Sequence, residues 1–409
     1  MSKLDDLIDE LCPDGVEYKR LGDFASVIRG GNFQKKDFVE NGKPCIHYGQ
    51  MYTHFKNTTN KTLTFVSDSV FEKSKQAQPN DIVMAVTSEN VEDVCSCVAW
   101  LGKENIAVSG HTAIIHHNQN PSYLSYYFHS ELFFKQKVKL AHGTKVIEVT
   151  PDKLLGIEIP VPPLEVQNEI IRILDKFTSL EAELEAELEA RRKQYEYYRD
   201  SLLKNTKIEE TVTIKDIAEM VTVGIANSAT HAYSENGIIM FRNQNIKENH
   251  LDDSDLIYIK EEFESKYKNK RLKANDILVS RTGYPGQACV VPEKYKNCQT
   301  FTTLILRLKK ELDINPRYVC FYINSKEGKK YVEKVKTGAA QSNFNAGSLK
   351  EMPISLPSIE EQDRIVAILD RFESLCNDIT SGLPAEIEAR HKQYEYYRDK
   401  LLTFKRKEV

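Results

Sequence analysis

The chain repeats itself, and the repeat constrains the fold more than any other feature. EARRKQYEYYRDSLL, from Glu189 to Leu203, returns as EARHKQYEYYRDKLL, from Glu388 to Leu402, with thirteen of fifteen positions identical. Upstream, PPLEVQNEIIRILDKF ending at Phe177 aligns with PSIEEQDRIVAILDRF ending at Phe372, an offset of 195 residues. The same offset relates Glu40-Asn41-Gly42 to Glu235-Asn236-Gly237, Asn80-Asp81-Ile82 to Asn275-Asp276-Ile277, and Asn120-Pro121-Ser122-Tyr123 to Asn315-Pro316-Arg317-Tyr318. A period this long means duplicated domains rather than a solenoid. At 409 residues the chain also exceeds one ordinary core. The expected class is α+β: two mixed α/β domains at residues 1–160 and 207–356, joined by two long antiparallel coiled-coil helices at 161–206 and 357–409, with an internal pseudo-two-fold repeat.

The two parts of each copy have diverged unequally. The helical parts are nearly the same, whereas the mixed parts share turn and core positions and differ elsewhere. One helical sequence held twice beside two free mixed sequences points to one shared partner and two separate specificities; unequal drift after duplication is the simpler alternative.

In the first helical part the apolar positions Ile170, Ile173, Phe177, Leu180, Leu184, Leu188, Tyr195, Tyr198 and Leu202 step by three and four, with Arg191 in one slot, which is a heptad seam. Leu184 to Leu188 is a second consecutive step of four, a stutter that unwinds a supercoil locally. The second seam runs Ile365, Ile368, Phe372, Leu375, Ile379, Leu383, Ile387, Tyr394, Tyr397 and Leu401. Four extra residues enter there, together with Gly382 and Pro384, so a break is expected near Ser381. A helix with one apolar stripe needs a mate, and each helix is the mate of the other. The Tyr-Glu-Tyr-Tyr-Arg-Asp segment carries aromatics and charges on more than one face, which suits a polar-rimmed protein interface or packing of the helix end on a neighbouring domain.

In the mixed parts, β-rich runs are expected at Asp81 to Val86, Ala113 to His117 and Ile157 to Val161, with counterparts at Asp276 to Arg281 and Thr303 to Leu308, and helical pieces at Tyr123 to Leu140 and Pro316 to Val335. Between them lie Gly- and Asn-rich loops such as Arg29-Gly30-Gly31-Asn32-Phe33-Gln34-Lys35, Arg242-Asn243-Gln244-Asn245, Arg281-Thr282-Gly283-Tyr284 and Gln341-Ser342-Asn343-Phe344-Asn345. Arg pairs in bidentate fashion with guanine, and Asn or Gln with adenine. Loops of this kind are common on soluble surfaces; their recurrence at matching places, Gly143-Thr144-Lys145 against Gly338-Ala339-Ala340, is what makes them candidates.

Signals for catalysis are missing. The Asn120 and Asn315 tetrads superficially match the Asn-Pro-Pro-Tyr of amino-methyltransferases, but the second proline is absent and each tetrad opens a helix, where Asn is a cap and Pro a first residue. No Gly-rich phosphate loop or nuclease carboxylate pattern is present. His111, His116 and His117 have Thr302, Arg307 and Leu308 at matching places, so they make no repeated metal set. The eight cysteines lack paired spacing and read as reduced, mostly buried thiols. No run of 18 apolar residues exists, and the charged N-terminus MSKLDDLIDELC has no signal core, so a cytoplasmic protein is expected. A formal charge of −4 excludes a broadly basic nucleic-acid binder but not local basic loops.

The order mixed domain, long helix, mixed domain, long helix closely resembles the specificity subunits of Type I restriction-modification systems. Leu11-Cys12-Pro13-Asp14-Gly15-Val16-Glu17-Tyr18-Lys19-Arg20-Leu21-Gly22-Asp23 looks like the start of many of them, as do the Pro-Pro-Leu-Glu-Val-Gln opening of the helix and its Tyr-Glu-Tyr-Tyr-Arg-Asp exit. The resemblance implies two target-recognition domains, each reading one half of an asymmetric double-stranded DNA site, and helices that set the spacer. It also implies two methyltransferase subunits, adenine-specific and bringing S-adenosylmethionine, and ATP-dependent motor-nuclease subunits; this chain itself has no catalytic site, cofactor, metal or membrane contact. A coiled-coil scaffold or adaptor without DNA reading is the alternative. Chosen by chemistry, the expected DNA-binding residues are Arg29, Asn32, Gln34, Lys35, His47, Gln50, Ser88, Asn90 and Lys145 in the first domain and Arg242, Asn243, Gln244, Arg281, Tyr284, Gln341 and Asn343 in the second. The expected partner-docking residues are Tyr195, Tyr197, Tyr198, Arg199, Tyr394, Tyr396, Tyr397 and Arg398.

Overall fold

The repeat is realised as two matched units. The computed structural model describes residues 3–205, 210–226, 230–336, 343–377 and 382–408. It divides into one unit of Met1–Glu185 with Glu386–Val409 and a second of Ala186–Ala385. Each unit therefore holds a mixed domain, the first part of the helix that follows it, and the last part of the other copy's helix.

In the first unit the strands Ala25–Arg29, Thr112–His117, Ile82–Ala85, Cys97–Trp100 and Thr58–Thr59 lie side by side in that order. In the second, Ala218–Val223, Leu304–Leu308, Ile277–Val279 and Ala288–Val290 repeat the first four places. The central registers agree, Ile115 opposite Ile82 and Leu306 opposite Ile277. Ile82–Ala85 and Ile277–Val279 are buried along their whole length, which is why they read as continuous apolar runs rather than alternations. A second sheet sits in each unit, ordered Phe38–Val39, Thr64–Val66, Lys43–Ile46, Ile106–Val108, Gln76–Ala77 in the first and Tyr233–Ser234, Ile257–Ile259, Ile238–Phe241, Gln299–Thr300 in the second.

The repeated short motifs have physical reasons. Asn80 and Asn275 take positive φ, 73° and 69°, a conformation Asn tolerates better than most residues. The next residue, Asp81 or Asp276, folds back on the backbone N–H of Gln78 or Lys273. The same carboxylates reach the adjacent strand: Asp81 Oδ1 meets His116 Nδ1 at 2.8 Å, and Asp276 meets Arg307 Nε and Nη2 at 2.8 and 2.7 Å. His117 beside it is pushed down to about 4 by burial, so it is neutral at pH 7, as its apolar counterpart Leu308 is. Asn120 and Asn315 cap helices that begin with Pro121 and Pro316. Their own N–H groups donate to Gln167 and Gln362 Oε1 at 3.1 and 3.0 Å, which accounts for the glutamine repeated in both long helices. All eight cysteines are buried and unpaired.

Each helical piece expected as one is two. Ser130 and Ser325 interrupt them, giving Pro121–Phe128 with Glu131–Leu140 and Pro316–Asn324 with Lys326–Val335; in each case the serine hydroxyl accepts a backbone N–H of the following helix.

The first long helix, Leu164–Asn205, is continuous over 42 residues. The second copy is two helices, Ile359–Asn377 and Leu383–Leu401, and Ser381, where a break was expected, lies outside the described residues. Helix pairing is antiparallel within each unit. Phe177 stacks on Tyr397 while Glu181 meets His391; Tyr198 stacks on Phe372 while Cys376 feels Arg192. The seam departs from the expected one in two places. Leu180 and Leu375 are 37% and 40% exposed, and the buried line near the helix ends runs through Tyr195, Arg199 and Leu203 rather than Tyr198 and Leu202, because a straight helix drifts from a strict seven-residue repeat. Among the described residues no helix is long and apolar enough to cross a membrane.

Candidate nucleic-acid interface

The most instructive comparison between the units is the turn after Lys43–Ile46 and its counterpart after Ile238–Phe241. In both, a one-turn 3₁₀ helix follows, Tyr48–Met51 or Asn243–Asn245. In both, an amide side chain closes it: Gln50 Oε1 accepts the His47 N–H at 2.9 Å, and Asn245 Oδ1 accepts the Arg242 N–H at 2.8 Å. The backbone is held alike, and the side chains carried differ, His47-Tyr48-Gly49 in one and Arg242-Asn243-Gln244 in the other.

This geometry corrects two of the candidates in the first unit. His47 is only 7% exposed; its Nδ1 accepts the Gly49 N–H, its ring packs against Phe38 and Tyr48, and burial lowers its proton affinity. Gln50 spends Oε1 on His47 and Nε2 on Thr64. Both serve their own turn: His47 is buried, and the amide of Gln50 is engaged at both ends. Asn90 is exposed, but its amide bonds Asp93 twice, through Nδ2 and Oδ1. Asn32, Gln34, Lys35 and Lys145 are exposed. Arg29 ends its strand with Nη2 on Glu148 at 3.0 Å, and the Glu148 strand pairs Ile147 with Ser88, so Arg29, Ser88 and Lys145 belong to one neighbourhood.

In the second unit Arg242, Asn243, Gln244 and Tyr284 surround one cleft of about 430 Å³. Tyr284 is 76% exposed at the tip of a loop with Gly283 and Gly286 at positive φ, 77° and 90°, held by the Gly286 N–H on the Ser280 carbonyl at 2.9 Å. Asn243 is not a reader: its Oδ1 accepts the Arg281 N–H at 2.7 Å and its Nδ2 donates to Thr302 Oγ1 at 3.1 Å, so it ties two strand ends together. Arg281 is half-buried, with its carbonyl accepting from the Phe344 N–H. Asn343 is half-buried, its Oδ1 without a partner; Gln341 lies outside the described residues. Tyr233, Lys247, Gln287 and Thr302 also line the cleft. They were missed because they come from separate segments, and no local pattern marks them.

The tyrosine motif divides into two faces. Tyr195, Arg199, Tyr394 and Arg398 are buried, 8%, 3%, 6% and 8% exposed, so they are not docking residues. Their partners are internal. Tyr195 OH accepts from Asn249 Nδ2 at 2.8 Å and Tyr394 OH from Asn57 Nδ2 at 3.3 Å, while Arg199 and Arg398 lie over the two rings. The aspartate of the motif completes the contact. Asp200 Oδ1 accepts the Lys326 N–H and Asp399 Oδ1 the Glu131 N–H, each at 3.1 Å, which places a carboxylate at the N-terminus of a helix where the free N–H groups favour it. The other face is open: Tyr197 and Tyr396 are 69% and 62% exposed, and Tyr198 and Tyr397, at 40% and 36%, also carry the helix stacking.

Comparison with known proteins gives this arrangement a family. The profile described as Type I restriction modification DNA specificity domain matches residues 13–190 and 207–389, one match in each repeat. The chain belongs to the Type I restriction-modification specificity subunits. Among curated members it is 38% identical to the EcoR124I/EcoR124II specificity subunit of Escherichia coli over 274 residues, 66% of this chain and 67% of that one. It is 34% identical to a putative type I specificity subunit of Haemophilus influenzae over 273 residues, 64% and 68% of the two chains. A solved structure from work on complex assembly and conformational transition of the type I R-M system matches with a TM-score of 0.63 over 95% of this specificity subunit and 97% of that chain, at 17% identity, a likeness of fold.

Proposed function

We propose that this specificity subunit reads a two-part, asymmetric DNA sequence, one half with each mixed domain, and carries no catalytic site of its own. The observation that supports the reading best is the turn shared by the two units: one side-chain-to-backbone closure holds the same strand end in both, with Arg242 and Gln244 lining a cleft in the second and a buried His47 in the first. A common scaffold with different side chains at its tip is what two independent sequence preferences require, since base identity is read by side chains at groove edges while the scaffold sets register. Two methyltransferase subunits bring S-adenosylmethionine, motor-nuclease subunits complete a restriction enzyme, and the helices set the number of unread base pairs. Exchanging residues 20–155 for the matching segment of another family member is expected to change one half of the methylated sequence and leave the other intact, as mapped genome-wide by methylation-sensitive sequencing. A change in both halves contradicts independent reading.

The exposed face of the tyrosine motif is the proposed methyltransferase contact. Exposed tyrosines are typical interface anchors, and losing an anchor costs at least about 2 kcal/mol, more than tenfold in affinity. Replacing Tyr197 and Tyr396 by Ala is therefore expected to lower co-purification of the methyltransferase subunit at least about tenfold with the melting curve of the chain unchanged. Tyr198 and Tyr397 are left in place because they stack on Phe372 and Phe177. Unaltered stoichiometry discards the assignment.

A further inference from the structure

Two side chains on the rim of the second unit's cleft end on one carboxylate. Asp255 Oδ2 accepts from Arg242 Nη2 and from Gln244 Nε2, each at 2.7 Å. The Asp255 carbonyl also accepts from Arg242 Nη2 at 3.1 Å and from Asn245 Nδ2 at 3.0 Å. Asn245 in turn holds the Asp252 carbonyl at 3.0 Å and closes the Arg242 turn, so the acid and the two groups it grips are fixed to one piece of backbone. Arg242 Nε is buried without a partner, and among the described residues Asp255 is the only carboxylate bonded to this guanidinium. The acid itself stays 65% exposed. An exposed carboxylate bonded to two side chains that line the proposed DNA-facing cleft repels phosphate, so its place there calls for a gain in specificity rather than in affinity.

We propose that Asp255 is a specificity-determining positioning residue, which holds Arg242 and Gln244 as one rigid reading head and keeps both off the phosphate backbone. This rests on the DNA-reading proposal above. The chemistry that follows is directional. With both Nη2 hydrogens on Asp255 and Nε buried, the gripped guanidinium offers only its Nη1 N–H groups, which reach a base-edge acceptor such as O6 or N7 of guanine, whereas a loose one turns to any phosphate oxygen. Gln244, with Nε2 engaged, presents Oε1 as an acceptor for the exocyclic amino group of an adjacent adenine or cytosine. The half-site read by this domain then places a base with a major-groove acceptor next to an amino-bearing base in the same groove.

The test compares Asp255→Asn with Asp253→Asn, each in the full chain co-expressed with its methyltransferase subunit. Asp253 lies on the same segment and bonds Lys294 and Tyr295, so its substitution removes the same charge without touching Arg242 or Gln244. Binding of a random-sequence duplex is read by fluorescence anisotropy at two salt concentrations, and the methylated motif by genome-wide mapping. For Asp255→Asn we expect random DNA to be bound about three- to tenfold more tightly. One or two positions of a single half-site should become degenerate, discrimination there falling about tenfold, with the other half-site unchanged. Asp253→Asn should leave the motif intact. An unaltered motif in Asp255→Asn, or weakening spread evenly over all sites, overturns the inference. A wild-type complex that methylates no two-part motif removes the DNA-reading proposal and this inference with it, whereas a two-part wild-type motif that survives Asp255→Asn removes only the inference.

Discussion

Replacing Asp276 by Ala is expected to destabilise the second unit by about 3–5 kcal/mol, the cost of leaving one member of a buried ion pair alone. Asp276 is 1% exposed and Arg307 8%, and without the carboxylate the guanidinium keeps, among the described residues, one hydrogen bond, to the Arg271 carbonyl at 3.2 Å. Arginine has no way out of this position, because it does not lose its proton. The matching pair in the first unit behaves differently. The partner there is an imidazole rather than a guanidinium, and burial raises the Asp81 carboxyl, so Asp81→Ala should cost only the desolvated hydrogen bonds, about 1–3 kcal/mol. Hydrogen exchange of the amides in Leu304–Leu308 and Thr112–His117 reports on the two strands separately. A double replacement of Asp276 and Arg307 by Leu should recover most of the loss, since an apolar pair of similar volume avoids the desolvation cost. Equal, sub-kilocalorie effects of the two alanine substitutions contradict the difference in charge chemistry.

That pair shows what a repeated sequence makes legible and what it hides. Asn80-Asp81-Ile82 and its copy announced a turn and a buried strand, because a positive-φ Asn and an apolar run are local signals. Aligning His116 with Arg307 argues against a repeated metal set, yet it does not reveal that each faces the matching aspartate of its own copy, a contact across strands some thirty residues apart. The candidate site divides the same way. Arg242, Gln244 and Tyr284, chosen by composition from loops compact in sequence, line one cleft. His47, Gln50 and Asn243 have equally suitable side chains, but they spend them on their own turns and on neighbouring strand ends, which composition cannot tell. Duplication of the tyrosine motif points to an outside partner, with packing of the helix end on a neighbouring domain as the alternative, and Tyr195, Arg199, Tyr394 and Arg398 follow the alternative. Duplication has a second cause here: Asn57 and Asn249 each receive a tyrosine, and the helices opening at Glu131 and Lys326 each receive an aspartate. These partners lie far away in sequence, so a helical pattern marks the buried face without saying what buries it.

Lengthening both long helices by four residues is expected to shift the methylated sites to a spacer one or two base pairs longer. The place to insert is set by the division of the chain, whose boundaries fall between Glu185 and Ala186 and between Ala385 and Glu386, at matching points of the two copies. Leu-Glu-Ala-Glu added after Glu187 and after Glu386 keeps a step of four from Leu184 and from Leu383 to the next leucine, and its last glutamate takes the place of Glu187 and Glu386 four residues before Arg191 and Arg390. Four helical residues add about 6 Å, and a base pair occupies roughly 3.4 Å along each strand, so length alone favours about two extra pairs. Rotation pulls the other way. Four residues at about 3.6 per turn rotate the helix by roughly 40° beyond a full turn, close to the roughly 35° contributed by one pair of a duplex with about 10 pairs per turn. The compromise between the two lies at one or two, with affinity reduced because neither is met fully. Methylation at the original spacing should fall at least about tenfold, the cost of some 1.4 kcal/mol of misfit, while both half-sites keep their sequences. Recovery of the original half-sites at the original spacing with normal efficiency rules out helices that measure the gap; a change in the half-sites themselves shows instead that the insertion disturbed the recognition domains.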